Sequence, residues 1–476
     1  MALSKKIGLI LGPVLFLLIL YFPNELISES GDRVIALAIW MVTWWITEAV
    51  SISVTALLPL VLFPLLKIMP IDEVGANYGS PIIFLFFGGF VLALALEKVN
   101  LHKRIALNII KLTGTTPNKV VLGFMIATAS LSMWISNTAS TVVMLPIALS
   151  VIRLLINDAD GFTKNDRNFA LSVMLGIAYA ANAGGIATVI GTPPNSVLIG
   201  LLENEYHIEI SFLKWMTIGL PFSIILLTIC YLVLVKWMFP NRQLKFNASR
   251  EVIQQELHKL GPTSGKEKMV LTIFGATVFL WIFRSAINSI FPALQLSDTI
   301  ISMSGAVALF AIPYNYKTGD FILVWEDTEK LAWGILMLFG GGLALANGMS
   351  VSGIVDMVSN AIANADVSIL ISASLLILLM LFMTELMSNV ALIAVLAPVV
   401  AGIAIGLEIP MLYLLIPVTI ASSCAFMLPM ATPPNAIVFA SGYIKVHQMA
   451  RAGFVLNLIS VVLLILIFQF VLPLLF

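Results

Sequence analysis

The sequence is dominated by long apolar segments separated by polar connections. Most of them have about the length that an α-helix needs to cross about 30 Å of hydrocarbon, and a backbone in that medium must satisfy its own hydrogen bonds. The chain is 60% hydrophobic and 11% charged, whereas soluble domains are about 45–50% apolar and about 25% charged. We therefore predict an all-α polytopic membrane protein with about 11 transmembrane helices. They fall at 7–23, 33–50, 53–66, 81–97, 169–200, 212–238, 269–290, 298–313, 331–350, 411–440 and 452–476.

Two further apolar stretches, 120–152 and 367–406, each carry a Ser-Asn pair near the middle. Each stretch could form one long helix or a re-entrant hairpin. Loop charge separates these options, because cytoplasmic loops are enriched in Lys and Arg. If both stretches are hairpins and the N-terminus is cytoplasmic, the most basic loop lies inside; if both cross, it lies outside. That loop holds Lys236, Arg242, Lys245, Arg250, Lys259, Lys266 and Lys268. The sequence thus predicts two hairpins, a cytoplasmic N-terminus and an external C-terminus.

An internal repeat runs through the chain. The pair Ser136-Asn137 returns as Ser388-Asn389 at an offset of 252 residues. The same offset relates Gly88-Gly89 to Gly340-Gly341, Ser132 to Thr384, and Pro146 to Pro398, and the motif Thr192-Pro193-Pro194-Asn195 returns as Thr432-Pro433-Pro434-Asn435 at an offset of 240. These matches indicate two homologous halves. An odd number of predicted crossings separates the hairpins, so the halves are predicted to be inverted, as in secondary transporters.

Both Thr-Pro-Pro motifs are predicted to interrupt a transmembrane helix. Proline lacks an N–H, and the residue before it is pushed out of the α region. An interrupted helix exposes carbonyls that suit a cation and a positive N-terminal dipole that suits an anion. The two hairpin tips are predicted to offer the same groups.

The hairpin motifs also predict two small cages of oxygen atoms. Ser132 precedes Ser136 by four residues, and Thr384 precedes Ser388 by four, so on a helix each pair would present two hydroxyls on one face. Oxygen ligands without a carboxylate suit a monovalent cation rather than Mg²⁺ or Ca²⁺. We expect sodium as the co-transported ion, with protons as the alternative.

The presumed site has no cationic side chain. Lys and Arg are absent from 120–152, 168–200 and 367–444. A multiply charged anion bound there would lack a countercharge from the protein, and burying an unpaired charge is costly. Co-binding of cations would supply that countercharge, so the sequence predicts symport.

These features resemble the divalent anion:sodium symporter family, which includes sodium-coupled dicarboxylate and citrate carriers. The resemblance rests on the motifs Ser136-Asn137-Thr138 and Ser388-Asn389-Val390, on the two Thr-Pro-Pro-Asn motifs and on the inverted repeat. It covers nearly the whole chain. It implies an elevator-type homodimer, in which a transport domain moves the site against a scaffold. The implied scaffold is 1–119, with an interfacial arm at LHKRIALNIIKL, and 266–366; the implied transport domain is 120–265, including the basic loop, and 367–476.

The resemblance also implies individual site residues. The first sodium site would be Ser132, Ser136, Asn137 and Gly191, and the second Thr384, Met387, Asn389 and Ala431. Substrate carboxylates would meet Asn137, Thr138, Asn389, Val390, Thr432 and Pro433, with Thr192 and Pro193 as the counterparts in the first half. Val390 stands where the first half has Thr138, so one hydroxyl is absent from the predicted pocket.

Acidic residues and glycines near membrane depth complete the set of candidates. Acidic side chains at this depth are often functional. Glu385 adjoins Thr384 and is predicted either to tune the second cation site or carry a proton, or to make a structural hydrogen bond. Glu48 is predicted to lie at the interface. The glycines at 88–89 and 340–342 are predicted to allow close helix packing.

The predicted function is sodium-coupled import of dicarboxylates of the succinate, malate and fumarate type across the cell (inner) membrane. A sodium-independent dicarboxylate exchanger and a symporter of sulfate or citrate are the alternatives. The inverted repeat disfavours a channel. Enzyme chemistry is not predicted, because no His, Cys or Asp pair converges at mid-depth. The net charge of zero argues against nucleic acid as a partner.

Overall fold

The structure is a computed structural model that describes residues 3–22, 28–114, 116–156, 163–240, 249–315, 317–365 and 368–475. These residues are predominantly helical. The helices of the first part are α1 Leu3–Tyr21, α2 Glu29–Thr47, α3 Ile52–Thr55, α4 Leu58–Leu65, α5 Ile71–Tyr78, α6 Pro81–Lys98, α7 Leu101–Thr113, α8 Pro117–Ser132, α9 Asn137–Ile156, α10 Lys164–Gly185, α11 Pro193–Tyr206, α12 Phe212–Leu232 and α13 Ser249–Leu260. Those of the second part are α14 Gly265–Ile290, α15 Asp298–Ala311, α16 Trp333–Val351, α17 Ile354–Ala363, α18 Ile369–Met383, α19 Asn389–Gly406, α20 Met411–Ser423, α21 Pro433–Ala440, α22 Val446–Leu466 and α23 Leu472–Leu475. Two short antiparallel strands, β1 Pro313–Asn315 and β2 Asp320–Phe321, form a hairpin after α15. The all-α prediction is confirmed.

Seven helical segments among the described residues are long and apolar enough to cross a membrane. They are Leu3–Tyr21, Ile71–Lys98, Phe212–Met238, Gly265–Ile290, Trp333–Val351, Asn389–Gly406 and Val446–Leu475. The apolar segment 53–66, predicted as one helix, is divided into α3 and α4. Its division has a local cause, because Pro59 at the start of α4 has no N–H with which to continue the preceding turn.

The repeat appears as two series of seven helices, α6–α12 and α16–α22. Both series end in a π-helical turn, at Val233–Met238 and at Ile467–Val471. The arm helix α7 has a counterpart in α17, which was not predicted from the sequence. The broken helix α10–α11 and the helices α12, α14, α15 and α16 lie between the two hairpins, and of these α12, α14 and α16 belong to the seven segments able to cross a membrane. If all five cross the membrane, as predicted, the two halves have opposite orientations.

The repeated glycines lie where helices pack closely. A Cβ atom on Gly88 would overlap Ser302 of α15, and one on Gly340 would overlap the ring of Tyr78 in α5. Gly341 packs in the same way against the backbone of Ala56. The prediction that the glycines serve close helix packing is confirmed for Gly88, Gly340 and Gly341, whereas a Cβ atom on Gly89 would have room.

The arm α7 is attached to the start of α14. Arg104 forms an ion pair with Glu267 at 2.6 Å and donates to the carbonyl oxygens of Leu260 and Gly261 at 3.1 and 3.0 Å. At its other end the arm leaves Leu112 exposed. A charged anchor and an exposed apolar end agree with a helix at the interface.

Candidate functional site

The first Ser-Asn motif lies at the tip of a hairpin made by α8 and α9. Along α10, Gly176 lies against Met125 of α8, and Gly184 lies against Ala129, so these two helices run in the same direction. Asn137, which starts α9, lies at the far end of α10. Only seven residues then separate the end of α9 from the start of α10, and they span about 25 Å at most. The chain must therefore turn back at the motif, as predicted.

The second motif has the same environment. Thr384, just after α18, contacts Ser422 at the end of α20. Four residues join the end of α19 to the start of α20, and both α18 and α19 pack against α20. The turn between α18 and α19 is therefore the tip of the second hairpin.

Four oxygen atoms converge at the first hairpin tip. The hydroxyl of Ser132, which is fully buried, lies 2.5 Å from the Asn137 side-chain oxygen and 2.7 Å from the Ala181 carbonyl oxygen. The side-chain oxygen of Asn137 faces only acceptors. With its amide reversed, the nitrogen would lie 3.2 Å from the Ala181 oxygen and 3.3 Å from the Gly191 oxygen. The reversed amide supplies a donor to these oxygens, and a small cation would supply the same attraction, so the cluster can hold either.

The second hairpin tip repeats this arrangement. The Thr384 hydroxyl lies 2.6 Å from the Asn389 side-chain oxygen and 2.5 Å from the Ser422 carbonyl oxygen. Ala181 and Ser422 thus supply corresponding carbonyl oxygens to the two clusters, each from the broken helix of its own half. Met387 lies in the hairpin turn and Ala431 lies just before α21, and both side chains are buried. Their role as sodium ligands stays a prediction.

The structure differs from the sequence-based prediction at Ser136. Helix α8 ends at Ser132, so Ser132 and Ser136 do not share a helix face. The hydroxyl of Ser136 is exposed and instead accepts from the backbone N–H of Ala139, where it caps α9. Ser388 holds the same capping position before α19. Thr384 and Ser388 do not share a helix face either, because α18 ends before Thr384.

Both Thr-Pro-Pro motifs interrupt their helices, as predicted. The breaks lie at 186–192, between α10 and α11, and at 424–432, between α20 and α21. Thr192 and Thr432 have extended backbones, with φ of −139° and −141°. A following proline requires this conformation, and α11 and α21 each begin at such a proline.

The asparagine of each Thr-Pro-Pro-Asn motif closes the break that precedes it. Asn195 Nδ2 donates to the Thr188 carbonyl oxygen at 2.8 Å. Asn435 Nδ2 donates to the carbonyl oxygens of Ala425 and Leu428, both at 3.1 Å. No role was predicted for these two asparagines, although their duplication with the prolines was a usable signal. They satisfy carbonyls that the helix break leaves without partners.

Glu385 holds the second break together. Its carboxylate accepts hydrogen bonds from the backbone N–H groups of Phe426, Met427 and Leu428 at 2.8, 2.9 and 3.0 Å. Asn457 Nδ2 of α22 donates to it at 2.8 Å. Of the predicted alternatives, the structure shows the structural hydrogen bond. Glu48 is exposed and pairs with Lys5 at 3.3 Å, which agrees with an interfacial position.

The predicted substrate residues lie on elements that interlock across the repeat. Helix α11 of the first half packs against α19 and α20 of the second, and α21 packs against α9 and α10. Thr138 and Pro433 are exposed, Pro193, Asn389 and Val390 are half-buried, and Thr192 and Thr432 are buried. The hairpin helix that begins at each tip therefore packs against the helix that follows the break of the other half.

We expect Gly185→Ala to eliminate cation binding at the first cluster. A Cβ atom at this position would lie 2.5 Å from the Asn137 side-chain oxygen and 3.1 Å from the Gly191 carbonyl oxygen. Sodium should then no longer raise the melting temperature of the purified protein through this site. Gly89→Ala is the matched control, because its Cβ atom would meet only Ile190 at 3.4 Å or more. Equal sodium-induced shifts in both variants would contradict a cation site at this cluster.

Comparison with known proteins identifies the family. The sequence matches the sodium:sulfate symporter transmembrane region over residues 3–476. The chain belongs to the sodium:sulfate symporter family. It is 41% identical over 476 residues to a protein of Staphylococcus saprophyticus named sodium-dependent dicarboxylate transporter SdcS, which covers 99% of this chain and 92% of the relative. The protein of that name from Staphylococcus aureus strain RF122 is 42% identical over the same shares.

Among solved structures, this symporter resembles the YdaH transporter of Alcanivorax borkumensis. The TM-score is 0.55 with 12% sequence identity, and the match covers 84% of this chain and 88% of that one. This likeness concerns the fold alone. Family and relatives are transporters, so the chain is a membrane transporter and not an enzyme.

Proposed function

We propose that this symporter imports dicarboxylates of the succinate, malate and fumarate type together with sodium. The observation that carries the proposal is the pair of matched oxygen clusters at Ser132–Asn137 and Thr384–Asn389. Neither cluster contains a charged ligand, which suits a monovalent cation. The names of the relatives, sodium-dependent dicarboxylate transporters, support the same ion and the same class of substrate.

Sodium also supplies the charge that the substrate requires. The segments that build the site contain no Lys or Arg, and a dicarboxylate at mid-membrane would be strongly destabilised without countercharge. Cations held at the two hairpin tips would lie where α9 and α19 begin, next to the predicted substrate contacts. These contacts are Asn137, Thr138, Asn389, Val390, Thr432 and Pro433, with Thr192 and Pro193.

We further propose an elevator mechanism in a homodimer, with the N-terminus cytoplasmic and the C-terminus external. The scaffold would be 1–119 and 266–366, and the transport domain 120–265 and 367–476. A cavity of about 370 Å³ supports this boundary, because Glu97, Asn100, His102 and Lys103 of the proposed scaffold line one side and Ala139, Val142, Val143 and Pro146 of α9 line the other. The hairpin is thus not tightly packed against the scaffold at this place.

Uptake of succinate into proteoliposomes tests the function. Three conditions are compared: an inward sodium gradient, choline in place of sodium, and choline with succinate loaded inside. We expect accumulation only under the sodium gradient. Uptake that needs internal succinate and ignores sodium would indicate an exchanger instead. Competition by malate, fumarate, citrate and sulfate then ranks the substrates.

A further inference from the structure

Asn182 of α10 makes a direct connection between the two halves. It is 1% exposed and follows Ala181, whose carbonyl oxygen belongs to the first oxygen cluster. Its Nδ2 donates to the Ala425 carbonyl oxygen at 3.0 Å and to the Thr432 hydroxyl oxygen at 3.2 Å. One amide group therefore binds both ends of the second break, 424–432.

The residues that Asn182 contacts flank the second cation site. Ala431, a proposed ligand of that site, precedes Thr432, and the Thr432 hydroxyl also accepts from the N–H of Asn435 and so caps α21. Thr432 is itself a proposed substrate contact. A displacement of the last turn of α10 would reach Thr432 through a single side chain.

The counterpart of Asn182 makes no such connection. Ser423 follows Ser422, whose carbonyl oxygen belongs to the second cluster, just as Asn182 follows Ala181 in the first. Its hydroxyl is buried and has no hydrogen-bond partner among the described residues. Asn182 of the first half therefore bonds to the second half, and Ser423 of the second half makes no matching bond to the first. The two oxygen clusters themselves are alike.

We propose that Asn182 is a positioning residue that couples sodium binding at the first cluster to substrate binding at Thr432. The inference rests on the proposed function. A cation among the first oxygens would fix the Ala181 carbonyl, and Asn182 would then hold Thr432 and the end of the second break in the substrate-binding position. Because linkage is reciprocal, bound substrate would tighten sodium binding by the same factor.

The variant Asn182→Ala should still fold. Without Asn182, the Ala425 carbonyl oxygen keeps the Asn435 Nδ2 donor, and the Thr432 hydroxyl keeps the Asn435 N–H. No acceptor is left without a partner, so the main loss is the connection between the halves rather than buried hydrogen bonding.

The test is equilibrium binding of radiolabelled succinate to the purified full-length protein at low and at saturating sodium. The ratio of the two dissociation constants measures coupling, which for allosteric proteins is about 5- to 150-fold. We expect Asn182→Ala to reduce this ratio at least about fivefold, the lower end of that range. Ser423→Ala, the matched control, should keep the ratio of the wild type. Asn182→Ser, which retains a shorter donor, should be intermediate and decides the matter if the alanine variant cannot be purified.

The outcomes separate the possible failures. A variant that is merely less well folded would bind succinate more weakly at both sodium concentrations by one factor, and the ratio would not change. An unchanged ratio in Asn182→Ala, or an equal reduction in Ser423→Ala, overturns the coupling role while leaving the proposed function intact. A wild-type protein whose succinate binding ignores sodium overturns the proposed function as well.

Discussion

We expect sodium-driven succinate uptake to fall to background in the Asn137→Ala variant. The Asn137 side-chain oxygen lies 2.5 Å from the Ser132 hydroxyl in the first oxygen cluster, and its removal takes away a direct ligand of the proposed cation. Removal of a residue that only hydrogen-bonds a metal ligand lowers metal affinity about 10- to 100-fold. Asn137 is a proposed direct ligand, so we expect its removal to lower sodium affinity by about 100-fold or more. The measurement is initial uptake in proteoliposomes over a series of sodium concentrations.

Asn108→Ala is the matched control for this variant. Asn108 is exposed on α7 and donates only to the Arg104 carbonyl oxygen of its own helix, at 2.9 Å. Its uptake should equal that of the wild type. Asn389→Ala should fail in the same way as Asn137→Ala, because the second cluster has the same geometry. Normal uptake by either variant, with normal amounts of protein in the membrane, would refute the assignment of that cluster.

We expect Glu385→Ala to destabilise the protein strongly. Three backbone N–H groups, of Phe426, Met427 and Leu428, and the Asn457 amide would lose their common acceptor in a buried region. Each buried donor left without a partner costs about 1–3 kcal/mol. We expect the melting temperature of the detergent-purified protein to fall by about 10 °C or more, since about 1 kcal/mol shifts it by about 2–4 °C in larger domains.

Glu48→Ala provides the comparison for Glu385→Ala. The Glu48 carboxylate is 69% exposed and pairs only with Lys5, and an exposed ion pair contributes little. Its melting temperature should remain within about 2 °C of the wild type. If Glu385→Ala retained the stability of Glu48→Ala, the carboxylate would not be what holds the second break.

Much of the architecture follows from local properties of the chain. Long apolar segments must be helical in hydrocarbon, and Thr-Pro-Pro must interrupt a helix wherever it occurs, so the all-α fold and both breaks were predicted at the correct residues. The hairpins followed from the distribution of Lys and Arg among the loops. The paired asparagines Asn137 and Asn389 were found because duplication makes a short motif conspicuous.

Other features depend on where helices begin and end. The segment 53–66 is hydrophobic throughout, and hydropathy alone does not show that Pro59 starts a new helix within it. The expected hydroxyl faces required helices that continue through Ser136 and Ser388. Instead α8 stops at Ser132, and Ser136 becomes a cap for α9. Propensity is too weak to place such boundaries within a few residues.

The amino-acid sequence specifies the membrane-embedded helices, the two inverted halves and the two motifs of each half, because periodicity, proline chemistry and charge act over short stretches of chain. Only the folded chain brings Ala181 to Ser132, Glu385 to the break at 424–432, and Asn182 to Thr432 across 250 residues. These contacts depend on how the two halves interlock. Pairings between distant residues are decided by the packing of whole helices, for which one sequence carries no local signal.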